Sequence, residues 1–109
     1  MNRARLETLL AHLKTVPVRA FDIRGWKCGT AACAIGHAGS IPELNLAGFT
    51  CGFDPHYQDH TSWDAVKAFF DLERDEVSYH LFNGLAYPDG DATTLPQVID
   101  RLSKFLEAA

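Results

Sequence analysis

Apolar residues return along this chain at helical spacing in four places. Leu6, Leu9, Leu10 and Leu13 fall at i, i+3, i+4 and i+7, which predicts a first helix over residues 3–16 with Arg3, Arg5, Glu7 and Lys14 facing outward. Pro17 ends it and biases Val16 away from helical backbone. Trp63, Val66, Phe69 and Phe70 predict a helix over 62–71, opened by Thr61-Ser62-Trp63-Asp64, which fits a capping box. Val77, Leu81 and Phe82 predict another over 74–83, closed by Gly84. Leu95, Val98, Ile99, Leu102, Phe105 and Leu106 mark the last, over 95–107. There Thr94-Leu95-Pro96-Gln97 is a second capping box, with Pro96 in the tolerated first turn.

The intervening stretches are less periodic. Val18–Lys27 reads as an extended connector whose Phe21, Ile23 and Trp26 plug the core. The run Cys28-Gly29-Thr30-Ala31-Ala32-Cys33-Ala34-Ile35-Gly36-His37-Ala38-Gly39 is built almost wholly of small residues. It predicts a helix over about 30–38, with Thr30 as N-cap and Gly39 and Pro42 as the stop. Gly36 costs such a helix about 1 kcal/mol against Ala, which makes sense where a neighbour packs at close range. Ile41–Phe53 gives one helical turn around Pro42–Leu46 and then a loop. Asp54–His60 reads as a polar turn region, and Tyr87-Pro88-Asp89-Gly90-Asp91 as a turn. The expected fold is therefore all-α: a single domain, 1–109, forming a compact orthogonal bundle of five to six helices around the buried small-residue helix at about 30–38.

Composition narrows the function more than the fold. The 109 residues carry a net charge of −4, and their ten basic residues are scattered, which argues against a phosphate-binding surface. No apolar run approaches the roughly 20 residues of a membrane span, and the amphipathic N-terminus lacks a signal peptide's unbroken apolar segment. A cytoplasmic chain is expected. In that compartment three cysteines are reduced thiols or metal ligands rather than a disulfide framework.

Three chemistries compete for the small-residue run. In the first, Cys28, Cys33 and His37 hold a zinc or iron ion. Cys33 and His37 are four apart, so on a helix they project from one face, and the fourth ligand would be Cys51, His56 or His60. The spacing C-x4-C-x3-H matches no standard finger or ribbon. In the second, Cys28 is the nucleophile of a hydrolase or transferase, its thiol lying just before a helix N-terminus. That mechanism needs a histidine base on a suitably placed element, and an all-helical fold offers no strand to carry one. In the third, the cysteines are small hydrophobes chosen for packing, with no catalytic residue and no cofactor. The pair of helices 62–71 and 74–83 could pass for a helix-turn-helix. The second opens with Arg74-Asp75-Glu76, however, whose acids repel phosphates.

The stretch Cys28-Gly29-Thr30-Ala31-Ala32-Cys33-Ala34-Ile35-Gly36-His37-Ala38, preceded by Phe21-Asp22-Ile23 and Trp26, resembles a family of small uncharacterised bacterial and phage proteins. The pattern of that family is roughly F-D-[MI]…W…C-G-T-x-x-C-x-x-G-[WH]-A. Ala68-Phe69-Phe70-Asp71-Leu72 with His80-Leu81-Phe82, and the Thr94-Leu95-Pro96 ending, extend the likeness over about residues 18–106. Asp71 stands where that pattern usually has Gly. An aromatic can fill the His37 position, which weakens a metal site that uses it. The resemblance implies no activity. The function expected is a non-enzymatic protein-interaction or regulatory accessory module with a protein partner and neither nucleic acid nor membrane. Tyr57 and Trp63 are its candidate contact residues, since such aromatics are enriched at interfaces.

Overall fold

The computed structural model describes residues 1–26 and 31–109. Along the chain run α1 (Arg3–Leu13), α2 (Ala34–Ala38), α3 (Pro42–Leu46), β1 (Phe49–Cys51), β2 (Pro55–Tyr57), β3 (His60–Thr61), α4 (Ser62–Phe69), α5 (Asp75–Phe82) and α6 (Leu95–Ala108), with single 3-10 turns at Val18–Ala20, Gly84–Ala86 and Gly90–Ala92. The three strands form one antiparallel sheet in the order β1-β2-β3. The expected all-α bundle is therefore corrected to an α+β fold.

The sheet falls in the stretch expected to be loop. Gly48, at φ +104°, turns the chain out of α3 in a backbone conformation that L side chains rarely adopt. Phe49, Thr50 and Cys51 then pair with Tyr57, His56 and Pro55, and His56 and Tyr57 pair with Thr61 and His60. Alternation sends Phe49 and Pro55 into the core, while Thr50, His56 and Thr61 form an exposed cross-strand row. Pro55 opens its strand, where a missing N–H does least harm.

The buried aromatic centre lies under that sheet. Phe49 stacks on Phe69 with centroids 4.6 Å apart, and Phe69 meets Phe70 and Tyr57 edge-on at 5.0 Å each. Leu6, Leu9 and Leu13 of α1 and Val98, Leu102 and Leu106 of α6 close the other side, all buried. The periodic stripes thus face the core, although α1 is shorter than expected, ending at Leu13. In the Thr94–Gln97 cap, Gln97 Oε1 accepts the Thr94 N–H at 2.7 Å. At Thr61 the backbone is extended as an N-cap requires, but the hydroxyl makes no capping bond.

The helix expected over 30–38 begins only at Ala34. Ala32 is instead drawn into a parallel bridge with Phe21: its N–H donates to Ala20 O at 3.1 Å and its carbonyl accepts from Asp22 N–H at 3.0 Å. What remains, α2, is buried at Ala34, Ile35, Gly36 and Ala38. Gly36 within it and Gly39 at its C-cap set its position. A Cβ on Gly36 would stand 1.6 Å from the Trp26 carbonyl oxygen, and one on Gly39 would stand 2.4 Å from Cys51 Cβ.

Candidate functional site

Of the proposed metal ligands, Cys28 lies outside the described residues. Cys33 is the N-cap of α2, with extended backbone (ψ 177°) rather than a place within the helix. The premise that it and His37 share a helix face therefore fails. The Cys33 thiol is buried, and burial pushes its pKa up against the opposing pull of the Gly36 and Ile35 amides. His37 Nε2 lies 2.7 Å from Ala20 O, an atom that only accepts, so this nitrogen carries the hydrogen and is not free to bind a cation. Its ring lies 6.4 Å from that of His12. Cys51 is half-buried behind Gly39. His56, on the opposite face of the sheet, sits 2.9 Å from Asp54 Oδ1, and His60 lies 3.8 Å from Asp59. Among the described residues, no three His, Cys, Asp or Glu side chains come together to hold a metal ion.

The strands also revise one ground of the nucleophile argument, because His56 and His60 do lie on a sheet. The Asp54–His56 pair has the carboxylate–imidazole form that orients a base. The nearest strand cysteine, Cys51, pairs with Pro55 and so projects to the other face from His56.

What the fold does assemble is an aromatic end. Trp63, in the first turn of α4, packs on Trp26 at 4.7 Å between centroids and meets Tyr79 of α5 edge-on at 5.1 Å. Between these elements opens a cleft of about 300 Å³. Trp26 and Trp63 form its walls, Cys33 and Phe82 are buried residues lining it, and Arg24 and Asn83 stand among its polar lining. Arg24 is clamped to Asp22 by its Nε and Nη2, and the guanidinium holds that carboxyl down at about 2. Asn83 Oδ1 accepts the Leu85 N–H at 2.9 Å, which leaves the amide NH₂ as the side chain's donor.

The β1–β2 hairpin tip is Gly52-Phe53-Asp54. Thr61 pairs with His56, one residue into β2 from the tip, so β3 delivers the chain into α4 level with it. Phe53 is 99% exposed. Of the candidate contact residues, Trp63 is part of the aromatic end. Tyr57 is half-buried, packed edge-on against Phe69 with the Arg5 guanidinium 5.7 Å from its ring. Trp26 was expected as a core plug and is only half-buried. Phe53 went unmarked because it falls in a stretch read as loop, although a Phe between Gly and Asp-Pro is an apolar residue in turn surroundings.

A larger groove of about 580 Å³ runs along α6 past His80, Tyr87 and Arg101. Its polar groups are already engaged. Arg101 Nη1 donates to His80 O and Ala86 O at 2.8 Å each, with its guanidinium carbon 3.8 Å from the Tyr87 ring centroid, and Lys104 pairs with Asp100 at 3.0 Å.

Among the described residues, no helix is long and apolar enough to cross a membrane. A scan of protein-family models, a search of curated proteins and a search of solved structures each return no match.

Proposed function

We propose that this chain is a non-enzymatic protein-interaction module, of bacterial or phage origin and cytoplasmic, that engages a protein partner through its aromatic end. The observation that carries the reading is the aromatic end itself, where the part-exposed Trp26, Trp63 and Tyr79 pack on one another, together with Phe53, 99% exposed at the β1–β2 tip. Scattered apolar residues on a surface need no explanation, but several aromatics gathered at one end mark a contact surface. Tryptophan and tyrosine are the residue types that most often anchor one. The distribution of cations supports the same reading. Arg3, Arg5 and Arg101 are bound to backbone carbonyls, and the basic residues form no run along the chain that would track a nucleic-acid backbone.

The test is capture from an extract of the source cell, with the chain itself, carried under a second tag, among the candidate partners. Wild type should retain a stoichiometric partner, and Phe53→Ser, which alters no buried contact, should lose most of it. Equal capture by both, or no capture by wild type, overturns the reading.

A further inference from the structure

Among the described residues, left-handed backbone at a residue other than glycine occurs at three positions, and two of them bracket β3. Gln58 has φ +55° in the two-residue turn that joins β2 to β3, and Ser62 has φ +57° where β3 passes into α4. A hairpin turn of this length with positive φ at its first residue alone is one for which glycine is the usual choice. Each hinge therefore holds an L side chain in a conformation that costs it energy. Little between the hinges offsets that cost. His60 and Thr61, the whole of β3, are exposed, and so are Gln58 and Asp59. Their side-chain contacts are long: Gln58 Nε2 donates to Tyr57 Oη at 3.4 Å, and His60 Nε2 lies 3.8 Å from Asp59 Oδ1. The Thr61 hydroxyl adds no capping bond.

Both flanks of this segment are anchored without it. β2 is held by Pro55 in the core and by its pairing with β1, and α4 by Ala65, Val66 and Phe69, all fully buried. A short exposed ladder between strained hinges and firm anchors is where a chain opens locally while the rest stays folded. The segment also leads straight into the aromatic end, since Trp63 follows the Ser62 hinge and packs on Trp26 and Tyr79. We propose that residues 58–62 form a strap that leaves the sheet while the core stays folded, and that its opening loosens Trp63 from Trp26 and Tyr79, so that the strap regulates the aromatic surface. The opening stands on the hinge geometry, and its regulatory role rests on the interaction reading above.

Hydrogen exchange read by mass spectrometry on the full chain, in urea below the unfolding midpoint, separates local from global opening. Peptides covering 58–66 should exchange with less than about half the urea dependence of peptides from α1 and α6, because a local opening exposes little surface. Gln58→Gly combined with Ser62→Gly relieves both hinges and should slow exchange over 58–66 by about tenfold. Gln58→Val combined with Ser62→Val puts branched side chains on the same backbone and should speed exchange by about tenfold or more. The valine pair should also shift tryptophan emission at urea concentrations that leave the helical circular dichroism unchanged. Equal urea dependence in all peptides overturns the strap, as does a double-glycine variant that exchanges like wild type. Faster exchange with unchanged emission overturns its link to Trp63. A valine pair that fails to fold counts against the proposal too, since the opening has to leave the core intact, and the glycine pair then decides independently. A strap that opens as described in a chain that captures no partner leaves the opening standing and overturns the interaction reading. Capture by a chain whose 58–66 segment opens only with global unfolding does the reverse.

Discussion

At Gly36, helix propensity and packing demand opposite residues. Propensity alone would have Ala there stabilise the helix by about 1 kcal/mol. The neighbouring chain decides otherwise, because a Cβ would meet the Trp26 carbonyl oxygen at 1.6 Å and Ala32 Cβ at 2.7 Å. The first is backbone, so no rotamer change relieves it; the Phe21–Ala32 bridge or α2 itself has to move. Gly36→Ala is expected to destabilise the fold by about 3 kcal/mol, as overpacking of a filled core does, measured as a fall in the urea midpoint. Gly52 is the control. Nothing lies within 4 Å of its would-be Cβ, so Gly52→Ala should stay within about 0.5 kcal/mol of wild type. The close contact also ties Gly36 to the aromatic end, because the same Trp26 whose carbonyl it faces supplies a wall of the cleft. Gly36→Ala should therefore alter tryptophan emission even below its unfolding midpoint.

On the scale of elements, α4 ends in a double hydrogen bond that its sequence does not suit. Leu72 N–H donates to Lys67 O at 2.9 Å and Asp71 N–H to Ala68 O at 3.3 Å, the pairing of a Schellman stop. This puts Asp71 at φ +54°, the left-handed region where glycine is the unstrained choice. Asp71→Gly is expected to stabilise the protein by about 0.5–1 kcal/mol, less the entropy that glycine adds to the unfolded chain, read as a rise in Tm. The amphipathic helices α1, α4, α5 and α6 were legible in sequence because each turns an apolar stripe to the core, three or more buried residues in α1, α4 and α6 and Leu81 with Phe82 in α5, and the Thr94–Gln97 cap was legible from residue type. The sheet was not. Strands of two and three residues are too short to display a period of two, and the turns at Gly48 and Asp54-Pro55 read as loop. The start of α2 was misplaced for a tertiary reason: Ala32 has high helix propensity but is taken up by pairing with Phe21. That displacement undid the Cys33–His37 spacing, which assumed both lay in one helix. Trp63 was recognisable at the site by its type alone, whereas Phe53 became visible only once the hairpin placed it.

Across the whole molecule, charge is used more for construction than for display. Arg5 Nη1 donates to Phe69 O at the end of α4, Arg101 Nη1 to His80 O in the last turn of α5, and Arg3 Nη1 to Leu106 O in the last turn of α6, each at 2.8 Å. Three helices therefore have C-terminal carbonyls satisfied by an arginine from another element, where a cation also suits the helix dipole. These bonds persist at any working pH, since arginine does not deprotonate, so the histidines set the pH response. Burial lowers the pKa of His12, and the nearby His37 adds to the effect. Burial lowers that of His80, with the Arg101 guanidinium acting the same way. Each is therefore harder to protonate in the folded chain than in the unfolded one, whose histidines titrate near 6.5. Above that value neither state binds the proton and stability is flat. Below it the unfolded chain takes up protons first, so stability falls until the folded pKa values are passed. A second decline belongs to Asp22, whose carboxyl is held at about 2 against 3.8 by Arg24: its contribution is complete above the unfolded value and disappears as pH drops toward 2. The urea midpoint should accordingly be constant from pH 8 to about 7, fall as pH drops below about 6.5, and fall again below about 4. His12→Gln should flatten the upper step and leave the acid step intact. An upper step that persists in both His12→Gln and His80→Gln would mean that protonation acts elsewhere in the fold.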